Sequence, residues 1–116
     1  ILKMDPIPTQ NFIRTTATQN SGYDGNIMFI TEGNIQMHLA EKDSNVAIKN
    51  GQRINPIEKG HIAFRTDDIE QFKRHLNDNA IDYSDYGTTF SAEWHQIFFF
   101  DPDGNIIEVH QQVASV

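Results

Sequence analysis

Five polar side chains sit inside runs that are otherwise apolar: His38 in IQMHLA, His61 in GHIAF, His95 in WHQIFFF, and Glu108 with His110 in NIIEVHQ. A carboxylate in a half-buried strand costs free energy unless it is paired or binds something. Imidazole and carboxylate suit Zn, Fe, Mn, Ni or Co, and side chains on one face of a curved sheet converge readily from separate strands. Two imidazoles and one carboxylate, with the other positions open to water, serve oxygen-activating iron as well as hydrolytic or isomerising zinc. The chemistry on offer is therefore that of a divalent ion. An ion pair between Glu108 and Arg65 is the alternative that needs no ligand, since both can lie on one sheet face. His61 and Glu108 are far apart in the chain, so no single helix fixes them as in an HxxxH or HExxH signature.

The elements that must position these residues are clearest after residue 60. GHIAFR alternates, with His61, Ala63 and Arg65 on one side and Ile62 and Phe64 on the other, which predicts a strand. Asp67 and Glu70 predict a capping box, and Ile69, Phe72 and Leu76 recur at helical spacing until Asn77 to Asn79 close the helix. A short strand is expected around Ala80 to Tyr83, then a loop, SDYGTTFSAE, before the aromatic strand WHQIFFF. DPDG signals a turn. NIIEVHQ is the last strand, with Ile106, Glu108 and His110 on one face. His95, across the turn from Glu108, is expected to line the cleft or orient the carboxylate. NIMFI, TEG and NIQMHLAE repeat the final strand, turn and strand more weakly, which predicts an internal duplication. Module one then spans about 1–42, a linker rich in Asn, Lys, Gly and Pro spans 43–59, and module two spans 60–113, all within one domain of 1–116. PTQNFIRTTATQ must supply the rest of module one, which reads as shortened.

The totals narrow the function. A chain of 116 residues can bury one modest core. Nine Lys plus Arg against sixteen Asp plus Glu leave a formal charge of -7, which repels nucleic-acid phosphates. The absence of cysteine excludes thiolate nucleophiles and Cys-held zinc. Apolar runs far too short for a membrane span, and an ILKMDPIP start unlike a signal peptide, make a cytoplasmic location the default expectation.

GHIAFRTDDIEQFKRHLNDNAI followed by HQIFFFDPDGNIIEVHQ resembles the second module of the vicinal oxygen chelate superfamily, which includes glyoxalase I, extradiol dioxygenases, and fosfomycin and bleomycin resistance proteins. The resemblance covers about 55–111. It implies an α+β fold in which paired βαβββ modules form an open, cup-shaped sheet around one divalent ion, either Zn, Ni, Fe, Mn or Co. It implies that His61 and Glu108 are metal ligands, and the I-H-L-like sequence in NIQMHLAE points to His38 as a third. A gapless alignment of the two GNI segments instead sets Met37 opposite Glu108, and one bulge residue would restore His38. The fourth ligand position falls near Asn11 to Thr16, where no His, Glu or Gln matches.

The function so implied is glyoxalase-like: isomerisation of the lactoylglutathione lyase type, or related lyase or dioxygenase chemistry on a small oxygenated substrate, with Glu108 as ligand and base. His95, Arg65 and Trp94 are expected to line the substrate site, and a homodimer is expected. The alternatives are a bleomycin-resistance-like binding protein, with Trp94, Phe90, Tyr83 and Tyr86 as stacking walls, and a degenerate member without metal.

Overall fold

The computed structural model describes residues 3–7, 23 and 25–113. The fold is α+β, with two sheets. The first holds β1 (Asp5–Pro6), β2 (Ile27–Thr31) and β3 (Gln36–Ala40), antiparallel in that order. A single helical turn, α1 (Val46–Lys49), follows. The second sheet is built from β4 (Ile62–Arg65), β5 (Tyr83–Gly87), β6 (Trp94–Phe100) and β7 (Ile106–Gln112), with α2 (Ile69–Asp78) between β4 and β5. Its spatial order is β4-β7-β6-β5, with β4 parallel to β7 and the other pairs antiparallel. Residues 62–112 thus form one βαβββ unit. No helix among the described residues is long and apolar enough to cross a membrane.

Helix α2 starts one residue later than the capping box predicts. Asp68 is the N-cap, accepting from the Gln71 N–H at 3.0 Å, while Glu70 turns to Lys73 instead. Its apolar face is the expected one: Ile69 and Leu76 pack on Ile97 and Val109, with Phe72 beside them. The strand predicted at Ala80 to Tyr83 is displaced. Ala80 adopts a left-handed φ of 55° just past the helix, and the strand begins at Tyr83. Ser84 and Asp85 read as loop because they are polar, yet Ser84 is buried and its hydroxyl accepts from the Ile54 N–H at 3.1 Å.

Ile54 belongs to the stretch expected to be only a linker. Val46 and Ile54 from that stretch join Tyr23, Tyr86, Phe90, Phe98 and Ile106 in the larger of two cores. The Tyr86 hydroxyl also donates to the Ile54 carbonyl. Segment 43–59 is therefore a packed wall on the inner face of the second sheet, opposite the face that α2 covers.

Sheet one repeats part of sheet two. Its hairpin β2–β3 pairs Phe29 with His38, as β6–β7 pairs Phe98 with Glu108. The turns differ in length: residues 32–35 separate the closing pair Thr31 and Gln36, whereas 101–105 separate Phe100 and Ile106. Ile35 stays in the first turn whereas its counterpart Ile106 already opens β7, so His38 takes the place across from Phe29 and Met37 falls on the other face. No bulge is involved. Strand β1 flanks β2 as β5 flanks β6, and among the described residues no strand lies beside β3 as β4 lies beside β7. Met28, Met37 and Leu39 are exposed on the sheet-one face that corresponds to the face α2 covers in sheet two. The stretch PTQNFIRTTATQ, including the positions near Asn11 to Thr16, lies outside the described residues.

Candidate metal and ligand site

The site begins with the turn that aims β7. In DPDG the Asp101 carboxylate accepts from the backbone N–H groups of Asp103 (2.9 Å) and Asn105 (2.8 Å), and Gly104 takes the left-handed φ of 87° that the reversal requires. Hydrogen bonds from Asn105, side chain first and then backbone, hold the Asp101 carboxyl below the usual carboxylate range. The chain returns in register, and strand alternation sends Ile106, Glu108 and His110 to the inner face, as the sequence predicts.

There Glu108 is 6% exposed and held on both oxygens. His61 Nε2 lies 2.9 Å from Oε1, His110 Nδ1 lies 2.6 Å from Oε2, and the Gln96 amide donates to Oε2 at 3.2 Å. Burial by itself would raise the carboxyl pKa, but hydrogen bonds from His110, His61 and Gln96 and the nearby His61 charge outweigh it and bring the group down to about 2. Glu108 is thus a buried carboxylate that stays ionised. His61 stands just before β4, its ring edge-on to Phe98 at 5.4 Å between centroids. Among the described residues, His61 Nδ1 and Gln96 Oε1 are buried with no hydrogen-bond partner. Native interiors tolerate few such groups, so two beside one carboxylate mark a site rather than ordinary packing.

His38 faces the same cluster from sheet one. Loss of hydration pushes its pKa down to about 4; the Glu108 charge opposes this, and His110 and His61 add to it. Its ring packs on Phe29 at 4.1 Å between centroids and its Nε2 lies 3.2 Å from the Gln36 side-chain oxygen. The residue as a whole is solvent-accessible.

Arg65 does not pair with Glu108. Its guanidinium lies over the Trp94 ring at 4.5 Å from the centroid, and Trp94 in turn lies 4.6 Å from the His110 ring. Arg65, Trp94, His110, Glu108 and His61 form one continuous row on the inner face. His95 is the exception among the expected lining residues. Strand alternation turns it to the α2 side, where Nε2 bonds Asp85 at 2.8 Å, and Lys73 of α2 reaches the other Asp85 oxygen at 2.9 Å. The residue that orients Glu108 is its neighbour Gln96, which sequence reasoning passed over; a lone amide within an aromatic strand was the available signal. The expected stacking walls also divide: Tyr86 and Phe90 are core, Tyr83 packs against the α2 cluster, and Trp94 alone faces the row.

In kind, the donors fit a divalent ion: two imidazoles and an ionised carboxylate. In spacing, His61 Nε2 and Glu108 Oε1 are 2.9 Å apart, close to the ~3.0 Å between adjacent donors of an octahedral ion with bonds of ~2.1 Å. Among the described residues no three His, Asp or Glu side chains are already arranged to hold a metal, and Glu108 is hydrogen-bonded to both imidazoles.

No family model and no curated protein matches the chain. Solved structures do. A glyoxalase family protein from Bacillus anthracis aligns at 23% identity and a TM-score of 0.44, over 95% of this chain and 74% of its own. An antibiotic-binding protein from Streptomyces sp. CB03234 aligns at 17% identity and 0.40, over 95% and 76%. Lactoylglutathione lyase from Agrobacterium tumefaciens aligns at 17% identity and 0.35, over 93% and 75%. All three align at under 25% identity and at TM-scores under 0.5.

Proposed function

We propose that the inner-face cluster binds a divalent cation and, through it, a small molecule with two neighbouring oxygens, as in a glyoxalase-like enzyme. The observation that carries this reading is Glu108: a buried, ionised carboxylate between two imidazoles, flanked by two polar atoms that lack partners among the described residues. His61 and Glu108 would hold the ion, with His38 as the donor from the other sheet. When bound, such an ion supplies Lewis acidity towards the substrate oxygens.

The chain's own residues do the rest. His110 and Gln96 fix the orientation of the carboxylate, and the row of His110, Trp94 and Arg65 provides the floor on which a ligand lies. A carboxylate held at about 2 is a better ligand than a general base, whose most effective pKa is near the working pH. Proton abstraction by Glu108 therefore requires release of one imidazole bond. Sequestration without catalysis is the weaker reading, since three of its four aromatic walls are packed elsewhere. A homodimer belongs to this proposal, supported by exposed Met28, Met37 and Leu39 on sheet one and Ile62 and Phe64 on β4. Light scattering that shows only monomer at micromolar concentration removes that part.

The metal reading is tested by calorimetric titration of the chain with Zn²⁺, Ni²⁺ and Mn²⁺. One equivalent of at least one ion should bind to the wild-type chain, and His61→Ala, Glu108→Gln and His38→Ala should each weaken it at least tenfold. A wild-type chain that takes up none of the three ions overturns the reading.

A further inference from the structure

Arg65 has no carboxylate within ion-pair distance among the described residues, although the chain carries a net charge of -7. Arg65 is exposed and its guanidinium lies over the Trp94 indole, so its N–H donors are open to an anion from solution. Its position is specific. Along the parallel β4–β7 pair, Ala63 stands opposite Glu108 and Arg65 opposite His110. Arg65 is therefore two residues from the level of Glu108 on the same face, about 6.6 Å at the strand rise. Trp94 under the guanidinium removes part of its conformational freedom, so less is lost when an anion binds. The indole and the His110 ring, inclined to each other at 55°, line the interval between the cation and the carboxylate.

We infer that Arg65 on Trp94 is an anion subsite, and that the ligand of this protein carries an oxyanion about four bonds beyond the pair of oxygens that engage the His61–Glu108 end. The inference rests on the proposed metal-dependent reading and specifies the ligand class: short oxo or hydroxy acids with a second, distal carboxylate or a similar anion. A guanidinium matches such a group with two parallel N–H donors, whereas a neutral end leaves the charge with water alone.

The test uses a matched pair of probes, 2-oxoglutarate and 2-oxopentanoate, which present the same vicinal oxygens and differ only in the distal carboxylate. Trp94 is the only tryptophan, so its fluorescence reports occupancy of the subsite directly. In the full chain with saturating Zn²⁺, 2-oxoglutarate should bind at least tenfold more tightly, the scale of one charge-assisted hydrogen bond. Arg65→Gln should abolish that preference while leaving the calorimetric Zn²⁺ affinity unchanged. Equal binding of the two acids, binding of neither, or a preference that survives Arg65→Gln overturns the subsite. Zn²⁺ affinity is measured separately, so a chain that binds Zn²⁺ but shows no preference rejects the subsite alone, whereas one that binds no ion rejects the underlying reading.

Discussion

The Glu108 carboxylate makes a quantitative statement about acid stability that Glu108→Gln isolates. The group falls from an ordinary 4.5 to about 2 on folding, so the folded state favours the ionised form. A carboxyl depressed in this way contributes stability that is fully present above the unfolded value and is lost as pH falls through the folded one. Over the whole window the contribution is about 3 kcal/mol, at 1.36 kcal/mol per unit. At pH 3 the linkage expression leaves about 1 kcal/mol, so the wild-type chain should lose about 2 kcal/mol between pH 7 and pH 3 through this group. The Gln side chain keeps the size and one acceptor but cannot titrate. All other carboxyls are shared by the two chains and cancel in the difference.

The assay is urea unfolding at half-unit intervals from pH 7 to pH 3 with chelator present, so that metal binding does not enter. The stability difference between wild type and Glu108→Gln should shrink by about 2 kcal/mol as the pH falls. Parallel curves across that range would refute the claim that His61, His110 and Gln96 hold Glu108 ionised.

Two further outcomes follow from contacts elsewhere. Burial pushes the Tyr86 phenol up to about 12, and its hydroxyl donates to the buried Ile54 carbonyl. Ultraviolet titration should show one phenol still protonated at pH 11, and Tyr86→Phe should remove that late step and cost about 1 kcal/mol. Burial acts to raise the Asp85 carboxyl, but Lys73, the Gly87 N–H and His95 together hold it below its usual value. Asp85→Asn should therefore destabilise the α2 packing by about 1 kcal/mol near neutral pH, and the deficit should close as acid protonates the wild-type carboxyl; a deficit independent of pH in urea unfolding contradicts this.

The sequence made the second module legible because local signals agreed there. Alternation in GHIAFR and NIIEVHQ, helical spacing at Ile69, Phe72 and Leu76, and a strong turn in DPDG all favour the same elements. It failed where tertiary contacts supply what local composition lacks. Ser84 and Asp85 look like loop until Ile54 and Lys73 satisfy them, and Val46 and Ile54 look like linker until the aromatic core closes over them. His95 and Gln96 show a different limit. Both are polar residues in one apolar strand, and only the register that fixes which face meets Glu108 tells them apart.

The four-residue turn of the β2–β3 hairpin has a consequence for how such a site changes over time. The four-residue turn fixes which side chain stands across from Phe29: with 32–35 it is His38, and one residue inserted at the tip while the turn stays four residues long would bring Met37 there. A hard-to-borderline nitrogen donor would then give way to a soft thioether without any substitution in either strand. Loop tips tolerate insertions far better than strands do. The hairpin tip thus acts as a selector of donor chemistry, one that comparison of strand residues alone would miss.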